Sequence, residues 1–175
     1  TLQTIEGDST FVKELLTDGK CDIAFLRSES SSVKEFNSIP YMIDYLTAVL
    51  PATHPLANAD NLPFEQLRGE TFLLFPEHSF INDLCIRECR NAGFEPHIAY
   101  TGNRGATLID LVRNGAGITL MMHHSARQEN DSSLAFIPVT PGIYSYISLN
   151  YAKEKPLSPQ AESFVRYVKA HKRDF

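Results

Sequence analysis

The segment from Leu111 to Leu120 reads Leu-Val-Arg-Asn-Gly-Ala-Gly-Ile-Thr-Leu, and it decides the fold class. Its first residues continue an apolar stripe that begins at Leu108 and repeats at helical spacing. Gly115 is typical of a helix end, and the apolar residues from Gly117 to Met122 predict a buried strand. A helix that passes through a glycine turn into a buried strand is the repeating step of an α/β fold.

The same step recurs in both directions along the chain. Further strands are predicted over residues 2–5, 23–26, 46–50, 72–75, 98–101, 134–139 and 143–151. Helices are predicted to begin at caps in Gly7-Asp8-Ser9, at Ser79, at Asn103 and at Ser158-Pro159. Because strands and helices alternate, we expect a largely parallel sheet.

The composition sets limits on function. The 175 residues are 43% hydrophobic and 21% charged, as in a globular chain of one domain or two small ones. The net charge of −5 argues against nucleic-acid binding by the chain itself, because that binding rests on Lys and Arg displacing counterions from phosphates. The apolar runs are far shorter than a membrane span, so no membrane partner is expected.

The sequence offers neither a catalytic set nor a metal site. His78-Ser79 and His123-His124-Ser125 place histidine beside serine, but no G-x-S-x-G nucleophile motif occurs. No H-E-x-x-H motif occurs, and Cys85 and Cys89 lack the further ligands of a zinc set. Buried core cysteines are the simpler interpretation.

Polar residues follow the predicted strands at the edge where α/β sheets bind ligands. Gly102-Asn103-Arg104 opens a helix, whose free backbone N–H groups and adjacent arginine would attract an anion. An ordinary capped helix with a solvent-facing Arg104 remains the alternative. Arg27 is expected at an exposed strand end, where its loss would weaken binding but not folding. The candidate ligand-binding residues are Ser9, Arg27, His78, Ser79, Phe80, Gly102, Asn103, Arg104 and Met122.

Five motifs, in order and over nearly the whole chain, carry a family resemblance. The five are Glu6-Gly7-Asp8-Ser9, Gly19-Lys20-Cys21-Asp22-Ile23-Ala24-Phe25, Pro51-Ala52-Thr53-His54-Pro55-Leu56-Ala57, Asn91-Ala92-Gly93-Phe94-Glu95-Pro96, and the segment quoted first. Together they resemble the effector-binding domain of LysR-type transcriptional regulators. One departure is Met122-His123, which stands where most members have a proline after the strand.

The resemblance implies two Rossmann-like lobes of the type II periplasmic-binding-protein kind, joined by two crossing strands, with an effector in the interlobe cleft. Lobe I would comprise residues 1–52 and 143–175, without the family's first strand and helix, and lobe II residues 53–142. By resemblance, Ser9 and Arg27 face the effector from lobe I. Gly102, Asn103 and Arg104 match the lobe II loop that closes over it, and Phe80 and Met122 match wall positions.

We therefore expect a non-enzymatic, cytoplasmic sensor of a small, anionic effector, without cofactor or metal. By resemblance, it assembles as a dimer or tetramer and reaches operator DNA only through an N-terminal winged helix-turn-helix outside this chain. The alternative is an extracytoplasmic solute-binding protein that serves a transporter. An enzyme on the same fold is a weaker third possibility.

Overall fold

The computed structural model describes residues 2–126 and 131–171. Its α-helices are α1 (Ser9–Thr17), α2 (Phe80–Asn91), α3 (Gly105–Arg113), α4 (His123–Ala126) and α5 (Pro159–Ala170). Its strands are β1 (Ala24–Ser28), β2 (Asn37–Pro51), β3 (Leu62–Pro63), β4 (Thr71–Leu74), β5 (His97–Thr101), β6 (Thr119–Met122), β7 (Leu134–Thr140) and β8 (Tyr144–Tyr151). A short 3₁₀ helix covers Phe64–Leu67.

Side-chain caps start three of the helices. The Asp8 carboxylate accepts the Phe11 N–H at 2.9 Å before α1. The Ser79 and Ser158 hydroxyls accept N–H groups three residues ahead, at 3.3 and 3.2 Å, before α2 and α5. Each satisfies a backbone donor that would otherwise lack an acceptor, so these three predicted helix starts are confirmed.

Several predicted elements are wrong or incomplete. Residues 2–5 form no strand in the structure, and Leu2 and Ile5 are 82% and 55% exposed, without the neighbouring strand that would bury them. The residue before α3 is Arg104 rather than Asn103. Strand β2 begins at Asn37, nine residues before the predicted Leu46. The prediction missed its first part because Pro40 and Asp44 interrupt the apolar–polar alternation that indicates a half-buried strand.

The chain divides into two compact units. The first consists of Thr1–Asp44 and Tyr144–Phe175, and the second of Tyr45–Ile143. The chain passes between them at residues 44–45, inside β2, and at residues 143–144, directly before β8. The lobe boundaries expected after residues 52 and 142 stay a prediction.

In the first unit, β1 pairs antiparallel with β8, and β8 lies between β1 and β2. Helix α1 packs through Leu16 against Ala24, Leu26 and Phe36. A separate apolar cluster joins α5 to the sheet, and it consists of Ile39, Leu149, Val165 and Val168. Burial of these side chains, at about 25 cal/mol per Å² of apolar surface, holds α1 and α5 to the strands.

In the second unit, strand directions are mixed. Strand β2 pairs antiparallel with both β6 and β7, whereas β3 pairs parallel with β7 and β4 parallel with β5. A parallel bridge also joins Phe72 to Ile118, at the start of β6. The expectation of a largely parallel sheet is therefore wrong for the long strand β2, while the parallel β4–β5 pair sets the edge described next.

Candidate functional site

Helix α2 starts directly after β4 through a tight turn. His78 adopts a left-handed backbone conformation, with φ of 66°, and is exposed. The Ser79 hydroxyl donates to the Pro76 carbonyl at 2.7 Å, and the buried Asn82 amide donates to the Phe75 carbonyl at 2.8 Å. Phe80 packs against the apolar core instead of standing free in solvent. The turn is therefore held by its own polar groups.

Helix α3 starts directly after β5, and it differs from the capped helices. Arg104 occupies the N-cap position and makes no side-chain cap hydrogen bond. Asn103 and Arg104 are exposed and Gly102 is half-buried. The first-turn N–H groups of α3 thus meet no capping side chain, and they form the positive end of a nine-residue helix. The alternative of a well-capped helix is not what the structure has.

The starts of α2 and α3 lie at the same edge of the unit. Leu74 and Thr101, the last residues of β4 and β5, are paired, and the Gly102 N–H donates to the Leu74 carbonyl at 3.0 Å. A Cβ placed on Gly105 would lie 3.7 Å from the Phe75 ring and 3.3 Å from the Met121 methyl group. Two helix N-termini and two apolar side chains therefore surround this edge, as at the ligand edge of other α/β sheets.

Strand β6 contributes a neighbour that the sequence reading missed. Met122 is fully buried in the apolar core, and Met121 on the opposite face is the methionine next to Gly105. Side chains alternate along a strand, so adjacent methionines point to opposite faces, and only the position of the helices shows which of them lies at this edge.

His123, the residue after β6, stacks on Tyr45 with ring centroids 4.4 Å apart, and its Nδ1 lies 3.3 Å from the Thr47 hydroxyl.

The first unit holds the two remaining candidates, Ser9 and Arg27. Ser9 is half-buried as the first residue of α1. Arg27 on β1 is not the exposed strand-end residue that was expected, because its side chain is 17% exposed. Its guanidinium donates to the Ser145 hydroxyl at 2.6 Å and to the carboxylate of Asp44 at 3.2 Å. Asp44, which the sequence reading did not single out, has a fully buried side chain.

Burial is the main influence on the guanidinium of Arg27. It lowers the pKa of Arg27 by disfavouring the charged form, and the adjacent Asp44 carboxylate opposes that effect. Arginine remains charged across the physiological range despite such a shift. Arg27 therefore enters a charged hydrogen-bond network within this unit, and a ligand at this position would share its guanidinium with Asp44 and Ser145.

The described residues contain no group of three or more His, Cys, Asp or Glu side chains placed to hold a metal ion. No helix in residues 2–126 or 131–171 combines the length and apolar character that crossing a bilayer requires.

The architecture is the two-lobe α/β fold of the type II periplasmic-binding-protein kind. The regulatory domain of CcmR from Synechocystis PCC6803, solved in complex with 2-PG, superimposes with a TM-score of 0.85 at 16% identity. That match covers 96% of this chain and 81% of the CcmR chain. The LysR substrate binding domain matches residues 1–173, and the chain belongs to this family.

The sequence relatives are transcriptional regulators. The dual regulator GltC of Bacillus subtilis is 25% identical over 164 residues, which are 93% of this chain and 55% of GltC. The hydrogen peroxide-inducible genes activator of Pectobacterium carotovorum is 25% identical over 158 residues, covering 89% of this chain and 52% of the activator. The chain thus spans little more than half the length of these relatives.

The two cysteines of α2 do not have the properties of peroxide-reactive thiols, although one relative is a peroxide-inducible activator. Cys85 and Cys89 are buried, and burial raises the pKa of the Cys85 thiol. Burial, together with Glu95 and Glu88, raises the pKa of Cys89 to about 12. Peroxide reacts with accessible cysteines that ionise readily. The prediction of core cysteines is therefore confirmed for this pair.

Proposed function

We propose that this chain is the effector-sensing part of a LysR-type transcriptional regulator, and that it binds a small anionic molecule. The main observation in favour of an anionic ligand is that α3 starts without a side-chain cap, next to the exposed Arg104. The structure supplies side-chain caps to α1, α2 and α5, whereas α3 offers its first-turn N–H groups to a ligand. An anion there would accept those hydrogen bonds and interact favourably with the helix dipole.

The other candidates extend the same proposal. Ser79, Phe80 and His78 belong to the α2 turn at the same edge as Gly102 and Asn103. Ser9 and Arg27, which belong to the first unit, stay proposed ligand contacts. Met121 and Met122 are both buried, and they support this edge from within the core. The ligand recorded for the CcmR regulatory domain supports the view that this fold holds a small molecule. Sensing requires that the ligand bind one arrangement of the protein more tightly than another.

The anion proposal is tested by thermal shifts across a panel of metabolites. A ligand at roughly 100 times its Kd stabilises the fold by about 2.7 kcal/mol. We expect hits among carboxylates and phosphates, and Arg104→Gln weakens their binding about tenfold because it removes a charge-assisted contact. Arg90→Gln removes an exposed cation of the same unit and serves as the matched control. Hits confined to cations or neutral apolar compounds would contradict the proposal.

DNA recognition belongs, in this proposal, to a winged helix-turn-helix outside the 175 residues, and the whole regulator acts in the cytoplasm where its operator is. The chain alone, with a net charge of −5, is expected not to bind duplex DNA specifically. An anisotropy titration near physiological ionic strength checks this. Submicromolar, sequence-selective binding by the chain would overturn the assignment, since the dissociation constants of nonspecific DNA binding are roughly 10⁻⁴ to 10⁻⁶ M.

The regulator is also proposed to self-associate. Strand β5 supports this, because all five of its residues are exposed, among them the apolar side chains of Ile98 and Tyr100. Light scattering is measured at a protein concentration of roughly tens of micromolar, with and without reductant. It is expected to give a mass above that of the monomer in both conditions. A monomeric mass in both would count against a dimer formed by this chain.

The solute-binding alternative receives less support, because the relatives are transcriptional regulators. Catalysis is less supported for the same reason, because these relatives are transcriptional regulators rather than enzymes.

A further inference from the structure

A concave surface lies in the first unit, and none of the candidate site residues lines it. It consists of two adjoining cavities of about 390 and 420 Å³ that share Asn37 and Tyr151. Their walls are the first residues of β2, the end of β8 with the segment that follows it, and one side of α5. We call these two cavities the basic groove.

The groove carries cations on both of its sides. Arg166 and Lys169 project from α5, three residues apart and therefore on one helix face, while Lys153 and Lys155 follow β8 on the other side. Glu162 is the one acidic residue among the lining side chains. A surplus of positive charge at this place is unexpected for a chain whose net charge is −5.

Two of these cations lack the carboxylate partners found elsewhere. Within the described part of the chain, no carboxylate oxygen lies within 4 Å of Arg166 or Lys169, and Lys153 donates to the Lys34 carbonyl. Lys155 is at the limit of an ion pair, with Nζ 3.9 Å from Asp22. Close ion pairs occur instead at Lys13–Glu35, Lys20–Asp18, Arg27–Asp44, Arg90–Glu95 and Arg113–Asp131.

The groove also has an apolar component. Leu157 and the buried Val165 line one cavity, and the buried Ile39 lines the other. Each cavity is an open depression with the volume of a small ligand, in which the apolar residues would contact one side of the ligand and the polar groups would orient it. Cations from two different elements suit a ligand with more than one negative group.

We propose that the basic groove is a second ligand site, which binds a small molecule carrying two or more phosphate or carboxylate charges beside an apolar portion. Its lining residues include none of those at the start of α3, so one chain would respond to two anions. An anion in the groove would connect α5 to the segment that follows β8 and would stabilise the first unit by mass action.

The test uses the ¹⁵N-labelled chain, titrated at low ionic strength with inorganic pyrophosphate and, separately, with citrate. Amide shifts are expected to concentrate at residues 37–40, 151–157 and 162–169, and the tighter probe indicates phosphate or carboxylate preference. Shifts that remain at residues 102–107 alone, or no saturable shift with either probe, would overturn the proposal.

Charge variants sharpen the result. The double variant Arg166→Gln/Lys169→Gln is expected to weaken the binding of the preferred probe about fivefold, since exposed charge contacts are individually modest. Glu162→Gln removes the carboxylate that would repel an anion in the groove. It is expected to strengthen binding only about twofold, because water and salt screen an exposed charge. Glu154→Gln makes the same charge change next to the groove but outside its lining, and it is the matched control.

Equal effects of Glu154→Gln and Glu162→Gln would mean that overall charge alone attracts the probe, and would overturn the proposal. Duplex DNA is the last arm: shifts of the groove amides at a lower concentration of DNA than of either small anion would replace the small-molecule assignment. Circular dichroism confirms that each variant keeps α5, as expected because glutamine is a good helix former.

Discussion

Replacing Arg27 with alanine is expected to lower the free energy of unfolding by about 3 kcal/mol or more, because it leaves the Asp44 carboxylate buried without its guanidinium partner. The Asp44 side chain is fully buried, and Arg27 bridges it to the Ser145 hydroxyl. Urea denaturation measured by circular dichroism gives the change. A loss below about 1 kcal/mol would mean that solvent reaches Asp44 and that Arg27 acts as an exposed residue.

A paired substitution separates the broken ion pair from lost packing. In Arg27→Met/Asp44→Leu both charges are gone, and the double variant is expected to regain most of the stability that Arg27→Ala loses. Arg104→Ala is the matched control, since Arg104 is exposed and makes no cap hydrogen bond, so its stability should stay within about 0.5 kcal/mol of the parent chain. No recovery in the double variant would contradict the ion-pair explanation.

Local signals account for the parts of the fold that sequence reading could predict. The Ser79 and Ser158 caps act on N–H groups three residues away, and Gly93 and Gly115 have the positive φ typical of a helix end. Such features depend on neighbours in sequence and can be read from a short window. The strand ends that carry Ser79 and Gly102 were predictable for the same reason.

Features that depend on distant partners were not predictable. The Arg27 guanidinium donates hydrogen bonds to Asp44, 17 positions away in the sequence, and to Ser145, 118 positions away. Strand β2 has no clear sequence signal before Leu46, because Pro40 and Asp44 interrupt its alternation and its partner β8 is distant in sequence. Met121 and Met122 are equivalent by composition, and only the packing of α3 distinguishes the methionine next to Gly105.

Gly117→Ala is the second substitution with a large expected effect, a loss of about 3 kcal/mol in the free energy of unfolding. Gly117 has a φ of 154°, which side chains rarely adopt, and a Cβ there would lie 2.4 Å from the Thr71 carbonyl oxygen. That oxygen accepts the Ile118 N–H at 2.8 Å, and the Leu73 N–H donates to the Ile118 carbonyl at the same distance. Accommodating the methyl group would push β4 and β6 apart at these bonds.

Gly115→Ala distinguishes this close approach from backbone strain alone. Gly115 also has a positive φ, 75°, but no atom lies within 4 Å of its Cβ position. Its replacement is expected to cost about 1–2 kcal/mol, the penalty of a side chain in the left-handed region, and urea denaturation measures both variants. An equal loss in the two would show that strain alone explains the glycines of the Leu111–Leu120 segment. A larger loss for Gly117→Ala assigns that glycine to the contact between β4 and β6, which positions the ends of β4 and β5 and therefore the starts of α2 and α3.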